Sequence, residues 1–256
     1  MKKLLTATAA CALFAGAAQA EDIKLGIIFG FTGPIESLTG SMAAATEAAI
    51  AEVNASGLLL DGSTVTAIRA DSTCVDSAAA TAAAERLVTS DQVAAIIGGD
   101  CSGVTGAILQ NVARPNGIVM ISPSATSPAL STAEDDGLFF RTAPSDAREG
   151  EIAADIMTER GIKTAALTYT NNDYGKGLAE AIATAFEAKG GKITISAAHE
   201  DGKADYTAEV GALAAAGGDI LIVAGYLDQG GVGVIRAALD TGAFSLFELP
   251  GGMIGD

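Results

Sequence analysis

The sequence has no tryptophan, one histidine (His199) and three cysteines, and its 15 lysines and arginines are outnumbered by 31 aspartates and glutamates. Each shortage removes a class of function. Without tryptophan, any aromatic contact to a ligand falls to tyrosine or phenylalanine. One histidine and the two cysteines beyond the N-terminal leader cannot complete a usual zinc site, so no metal is expected. A formal net charge of −16 argues against nucleic acid and anionic membrane surfaces, both of which select for basic patches. No apolar run beyond the leader reaches transmembrane length without a charge or glycine break. Phosphate-cradling motifs are also missing: "GFTGPIESLTG", after the first apolar run, contains proline and lacks the G-x-G-x-x-G spacing, and there is neither a P-loop nor an H-E-x-x-H. No cofactor and no catalytic residue are expected.

What is present begins with "MKKLLTATAACALFAGAAQA". Lys2 and Lys3, an apolar stretch from Leu4 to Ala18, and the small-x-small site Ala18-Gln19-Ala20 form the three parts of a secretory signal over residues 1–20. The alternative is an N-terminal helix of the fold, but the stretch is short and runs straight into polar "EDIK". Cys11 sits inside the apolar run after a poor "TAA", so lipidation is not expected. Cleavage after Ala20 implies a periplasmic protein that retains Cys74 and Cys101, an even pair that reads as one disulfide in an oxidising compartment. Closing its loop of roughly 26 residues is worth about 3–4 kcal/mol in the chain-entropy account.

From Glu21 onward one rhythm repeats: a short β-branched run, a turn, then an alanine-rich helical segment. Strands are predicted at 23–30, 64–70, 93–98 and 117–122, with helices at 41–56, 76–90 and 103–113. "LFFRTAPSDAREG" interrupts the pattern, with "FFRT" read as a strand. The rhythm then restarts with helices at 147–160, 175–189, 205–216 and 231–241 and strands at 164–170, 192–198 and 219–225. Alternating strands and helices predict βαβ units and parallel sheets, an α/β fold of two Rossmann-like lobes covering 21–141 and 142–256. A single continuous sheet is the alternative.

Ligands of open parallel sheets bind beyond the carboxyl ends of the strands. Three such ends carry unusual residues: "GGDCSGVTG", "ISPSATSPAL" and "YTNNDYGKG", with "GYLDQGG" a weaker fourth. Ser102 and Thr105 at one helix start, with Ser124 and Thr126 at a neighbouring strand end, could clamp a carboxylate with hydroxyls and free N–H groups. The plainer reading is that these residues cap helices and build turns. A rival function also fits the letters. "GDCSG" matches G-x-C-x-G, the cysteine form of a nucleophile elbow, and Asp173 or Asp228 could orient His199. Against it, Cys74 is a partner for Cys101, and His199 lies in "HEDGKADY", which reads as a solvated loop.

The segments "EDIKLGIIFGFTGP", "CSGVTGAILQN", "GIVMISPSATSPAL", "FFRTAPSD", "NNDYGKGLA" and "AGYLDQGG", in this order, resemble the periplasmic branched-chain amino acid binding proteins. These are the soluble receptors of ABC importers, with the type I periplasmic binding fold. The resemblance implies a Cys74–Cys101 disulfide and a carboxylate-binding Ser102. It also implies a loop at Ser124, Ala125 and Thr126 that binds through hydroxyl and backbone, and two tyrosines of the second lobe, Tyr174 and Tyr226. It further implies delivery of an amino acid or similar small carboxylate to a membrane permease. A ligand-sensing receptor domain of the same fold is the alternative. Members of the family continue well past the end of this chain, so the fold is expected to be incomplete at the C-terminus.

Three positions depart from the family pattern. A tyrosine near the first strand is Leu38, the ammonium-binding acid after "LP" is Gly251, and the apolar residue before the loop cysteine is Asp100. An ammonium needs a buried acceptor. Asp100 is expected either to supply it or to select a polar side chain.

Overall fold

The structure, a computed structural model, describes residues 20–59 and 62–254; all of the expected 1–20 secretory signal except Ala20 lies outside them. Among the described residues, nine strands form two separate sheets rather than one. The first holds β1 (Asp22–Phe29), β2 (Thr64–Asp71), β3 (Ala95–Gly98), β4 (Val119–Ser122) and β5 (Phe139–Arg141), in the order β2-β1-β3-β4-β5. The second holds β6 (Thr164–Thr170), β7 (Lys192–His199), β8 (Ile220–Ala224) and β9 (Phe247–Glu248), in the order β7-β6-β8-β9. Every pairing is parallel. The 141/142 boundary read from the sequence falls between β5 and the helix that opens the second half.

Helices cover both faces of each sheet, as parallel strands require. They are α1 (Glu36–Ala55), α2 (Ser77–Thr89), α3 (Ser102–Ile108), a π-helical turn (Leu109–Ala113), α4 (Arg114–Asn116), α5 (Asp146–Glu159), α6 (Asp173–Ala188), α7 (Thr207–Ala216) and α8 (Val232–Asp240). Alternate residues of a strand point to opposite faces, and the core divides accordingly. In β1, Ile28 packs with Leu87 of α2 and Ile108 of α3, whereas Ile27 and Phe29 pack with Ala43 of α1. In the second sheet, Leu167 and Ile222 meet Met157, Leu178 and Phe186 of α5 and α6. Leu221 and Val223 on the other face meet Leu213 and Val234 of α7 and α8.

One boundary differs markedly from expectation. Helix α1 starts at Glu36 instead of residue 41 and runs through Gly40. The first turn is held from outside: the Thr39 hydroxyl donates to the Gly30 carbonyl at the end of β1 (3.1 Å). That tertiary bond outweighs the weak helix propensity of glycine.

Glycines set two close approaches. At Gly98, with φ +136°, a Cβ would lie 2.1 Å from the Ile28 carbonyl oxygen, so only glycine lets β3 end against β1. At Gly150 a Cβ would lie 2.7 Å from the Ala181 carbonyl carbon, so α5 and α6 pack backbone to backbone. Gly150→Ala is expected to lower stability by about 1–3 kcal/mol through overpacking. Gly40→Ala, whose Cβ meets nothing within 4 Å, is expected to raise it by roughly 0.5–1 kcal/mol. Urea midpoints of the two variants should move in opposite directions.

Candidate functional site

In both sheets the first strand lies between the second and third, so the order reverses between β1 and β3 and again between β6 and β8. Loops leaving the carboxyl ends of such a strand pair diverge and open a crevice, the general ligand position of this architecture. The segments singled out in the sequence occupy these places. Gly99 to Ser102 follow β3, Pro123 to Ser127 follow β4, Asn171 to Tyr174 follow β6, and Gly225 and Tyr226 follow β8.

Asp100 is 2% exposed and ties the first set of loops together. Its Oδ2 accepts from the Gly30 N–H (2.7 Å), and its Oδ1 accepts from the Ser72 hydroxyl (3.2 Å) and the Cys101 N–H (3.1 Å). Burial nevertheless pushes this carboxyl above the usual aspartate range, with the hydrogen bonds offsetting only part of the desolvation. Beside it Cys74 and Cys101 form a disulfide, with Cα atoms 5.3 Å apart. The sulfur of Cys101 is therefore no nucleophile. His199 corrects a second expectation. It is not in a solvated loop but is the last residue of β7, 1% exposed, with Nδ1 at 2.9 Å from the Thr168 hydroxyl. Burial lowers its pKa. Both parts of the elbow reading are thus committed to structure.

Tyr174 and Tyr226 stack with ring centroids 4.8 Å apart and stand at the centre of the cleft. Tyr226 packs against the cores of both sheets. Burial raises both phenol pKa values, and the Tyr174 hydroxyl accepts from the Gly252 N–H (3.1 Å). The pair lines two cavities. One, of about 560 Å³, has Asp100, Ser124 and Thr126 on the first-sheet side and Glu149, Gly251 and Gly252 on the second. The other, of about 420 Å³, carries Cys101, Ser102, Asn172 and Asp173. Both volumes suit small ligands.

The expected clamp is therefore divided. Ser102 lines the second cavity, while Ser124 and Thr126 line the first. The Ser102 hydroxyl oxygen accepts from the Ser127 N–H (3.1 Å), which links the two groups through the loop. Ser124 donates its hydroxyl proton to the Asp100 carbonyl (3.0 Å) and so turns only lone pairs outward. Ala125 lines neither cavity. It is buried, its N–H donates to Ser122 Oγ (2.9 Å) and its carbonyl accepts from Arg141 (3.3 Å), so its backbone shapes the loop. Leu38 and Gly251, two of the departures from the family pattern, do line the larger cavity. A groove of about 990 Å³ between α3 and the α5–α6 pair is larger, but it lies on helical faces away from most of the strand ends, with Ser102 and Asp173 on its rim.

Sequence reasoning missed Glu149 and Asp146. Ser145 caps α5 by accepting from the Ala147 N–H (3.2 Å), and acids in a first helical turn ordinarily read as complements to the helix dipole. Here Glu149 reaches across to accept from the Gly251 N–H (2.7 Å). Asp146 donates its N–H to the Thr126 carbonyl (2.9 Å), a bond that crosses between the halves. Asp146 is 1% exposed, and its Oδ2 has no hydrogen-bond partner.

Desolvation raises the Asp146 pKa from 3.8 to about 6, partly offset by the Thr126 side chain and then raised further by Glu149. A raised folded-state value favours the protonated carboxyl. Its stabilising effect is full below about pH 4 and is lost as pH climbs past about 6, a swing of at most about 3 kcal/mol. Buried His199, with its lowered pKa, contributes in the opposite sense over part of this range, so the Asp146 contribution is read as a difference: between pH 5 and pH 7.5 the wild-type urea midpoint should fall relative to that of Asp146→Asn. A difference that does not change with pH would rule the assignment out.

Comparison with known proteins agrees with this architecture. The profile of the periplasmic binding protein family matches residues 22–249. A Leu/Ile/Val-binding protein homologue of Brucella melitensis is 32% identical over 237 residues, covering 90% of this chain and 62% of that protein. The Leu/Ile/Val-binding protein of Escherichia coli is 29% identical over 252 residues, covering 98% and 67%. Among solved structures, the branched-chain amino acid transporter substrate-binding protein of Streptococcus pneumoniae, in complex with isoleucine, superposes with a TM-score of 0.78 at 27% identity, covering 91% and 65%. A solute-binding protein of an R. palustris ABC transporter, in complex with 4-hydroxybenzoate, gives 0.80 at 20% identity, covering 91% and 62%, a likeness of fold alone. These relatives are binding proteins, not enzymes, and this chain spans about two thirds of their length. With its sheet order, its crevice and its matched span all in accord, the chain belongs to the periplasmic binding protein family.

Proposed function

We propose that this chain binds a small molecule reversibly in the cleft between its two sheets, as the periplasmic receptor of an ABC importer. Supporting this is the convergence of loops from both sheets on cavities that share Tyr174 and Tyr226. No covalent step is involved. Residues 21–141 form one lobe and 142–256 the other, and the ligand is held between Ser102, Ser124 and Thr126 on the first and the two tyrosines on the second. Asp100 holds the binding loops in place from beneath, and Ala125 fixes their course. Related proteins named for leucine, isoleucine and valine, and one crystallised with isoleucine, point to an amino acid as the ligand. Closure of the lobes creates the joint surface that a membrane permease would read. Hinge closure around a ligand is the general motion of periplasmic binding proteins, and here α6 already lies close to the first half. A Cβ on Gly177 would sit 2.9 Å from Ser127 Oγ.

The test is calorimetric titration of the protein with leucine, isoleucine, valine and 4-hydroxybenzoate, alongside mass spectrometry of small molecules that co-purify. Ser102→Ala and Thr126→Ala should each weaken the bound ligand by roughly 5–15-fold, the worth of one hydrogen bond, and Ser102→Ala should also lower the urea midpoint, because it strips the buried Ser127 N–H of its acceptor. No binding of any small molecule, or binding untouched by either variant, would refute the reading.

A further inference from the structure

The larger cavity presents an unusual balance of charge. Asp100, Glu149 and Asp228 stand on its wall, and among the described residues no lysine, arginine or histidine does. Among the described residues Glu149 makes no salt bridge, and its one hydrogen bond, through Oε1 to Gly251, leaves Oε2 without a partner. Behind the wall Asp146 keeps its unpartnered Oδ2, nine-tenths or more buried, within electrostatic reach of Glu149, Tyr174 and Tyr226, all of which face the cavity. Ser124 adds a hydroxyl that can only accept, because its proton is already given to the Asp100 carbonyl. Arg141, whose charge acts on Asp146, is spent on the carbonyls of Ala125 and Ser127 (3.3 and 3.0 Å). A cavity of acceptors and carboxylates without a countercharge is built for a cation.

We propose that Glu149 is the acceptor for a ligand ammonium, so that the cleft selects amine-bearing ligands over plain carboxylates. This deepens the binding reading above and rests on it. Glu149 approaches from α5 the place where Gly251 leaves no side chain. A Cβ on Gly251 would lie 3.5 Å from Glu149 Oε1, so the two positions address the same point in space. Glu149 Oε1 holds the Gly251 turn while Oε2 turns to the ligand. Asp100, whose two oxygens already serve Gly30, Ser72 and Cys101, adds field from beneath and no direct bond.

Matched pairs provide the test. The protein is titrated with each of the common amino acids, with putrescine, with 4-hydroxybenzoate, and with the des-amino analogue of whichever amino acid binds best, such as 4-methylpentanoate for leucine. An amine-bearing ligand should bind at least about 10-fold more tightly than its des-amino counterpart. Glu149→Gln, which keeps an oxygen for the Gly251 N–H, should weaken the amine-bearing ligand by about 10–100-fold and the des-amino analogue by less than about twofold. Adding Gly251→Glu to that variant should restore most of the loss, and the restoration also shows that Glu149→Gln folds. Equal binding of amine and des-amino ligands, equal loss for both in Glu149→Gln, or no rescue by Gly251→Glu would each overturn the assignment. If a plain carboxylate such as 4-hydroxybenzoate binds best, cleft binding stands and this proposal falls. If nothing binds, both fall.

Discussion

The cleft depends on one buried carboxylate. Asp100 accepts from Gly30 after β1, from Ser72 after β2 and from Cys101 at the start of α3. The ladders of β1 with β2 and β3 bring these three segments side by side, and Asp100 ties their ends together at the crevice where the first sheet reverses its order. The disulfide to Cys74 reinforces the same junction covalently. A carboxylate is suited to this work because it accepts several bonds at once and does not donate. The cost is desolvation, visible in its raised pKa. The structure accepts this cost where it fixes the wall of a cavity.

From that junction the rest of the site follows in order. Ser124 and Ser127 are positioned by bonds to the Asp100 carbonyl and the Ser102 hydroxyl, so the loop after β4 is registered against the loop after β3. The second sheet repeats the arrangement with different chemistry. Its crevice between β6 and β8 offers Tyr174 and Tyr226, rigid rings with few rotamers to lose when a ligand is enclosed. One half thus contributes small polar groups and backbone, and the other contributes apolar area and phenol hydroxyls. Both rings line both cavities, with Ser102 on the wall of one and Thr126 on the wall of the other.

Much of this was legible in the sequence because it is local or periodic. The strand–helix alternation foretold both sheets, and the unusual residues after the strands marked the crevices. Less legible were features made by distant partners. His199 opens a polar-looking stretch, but its register opposite Thr170 puts it in the core, and the Thr168 and Thr170 hydroxyls satisfy its ring. The early start of α1 depends on Gly30, outside the helix. Glu149 looks like any charged residue near a helix start, flanked by the exposed Arg148–Glu151 pair. Its different role depends on Gly251, 102 residues away. The resemblance located the missing acid at Gly251, and only the packing of α5 against the turn after β9 brings Glu149 to that place.

Charge of one sign on both halves also bears on closure. Asp100 belongs to the first sheet's side of the larger cavity, and Glu149, Asp228 and the buried Asp146 to the second. Bringing the halves together removes water from these carboxylates and draws them toward one another, and both effects oppose closure. A ligand shifts an equilibrium only by its differential affinity for the two states. An ammonium between the halves has such a differential. In the open form it meets one set of acids in water, whereas in the closed form it neutralises both sets in a medium where each charge counts for more. The repulsion that disfavours the closed form without a ligand is then the quantity that the ligand's own charge reverses. A neutral or anionic ligand of the same shape would fill the space and leave the repulsion standing. In this account, selectivity for a charged amine and the closing motion have the same electrostatic origin.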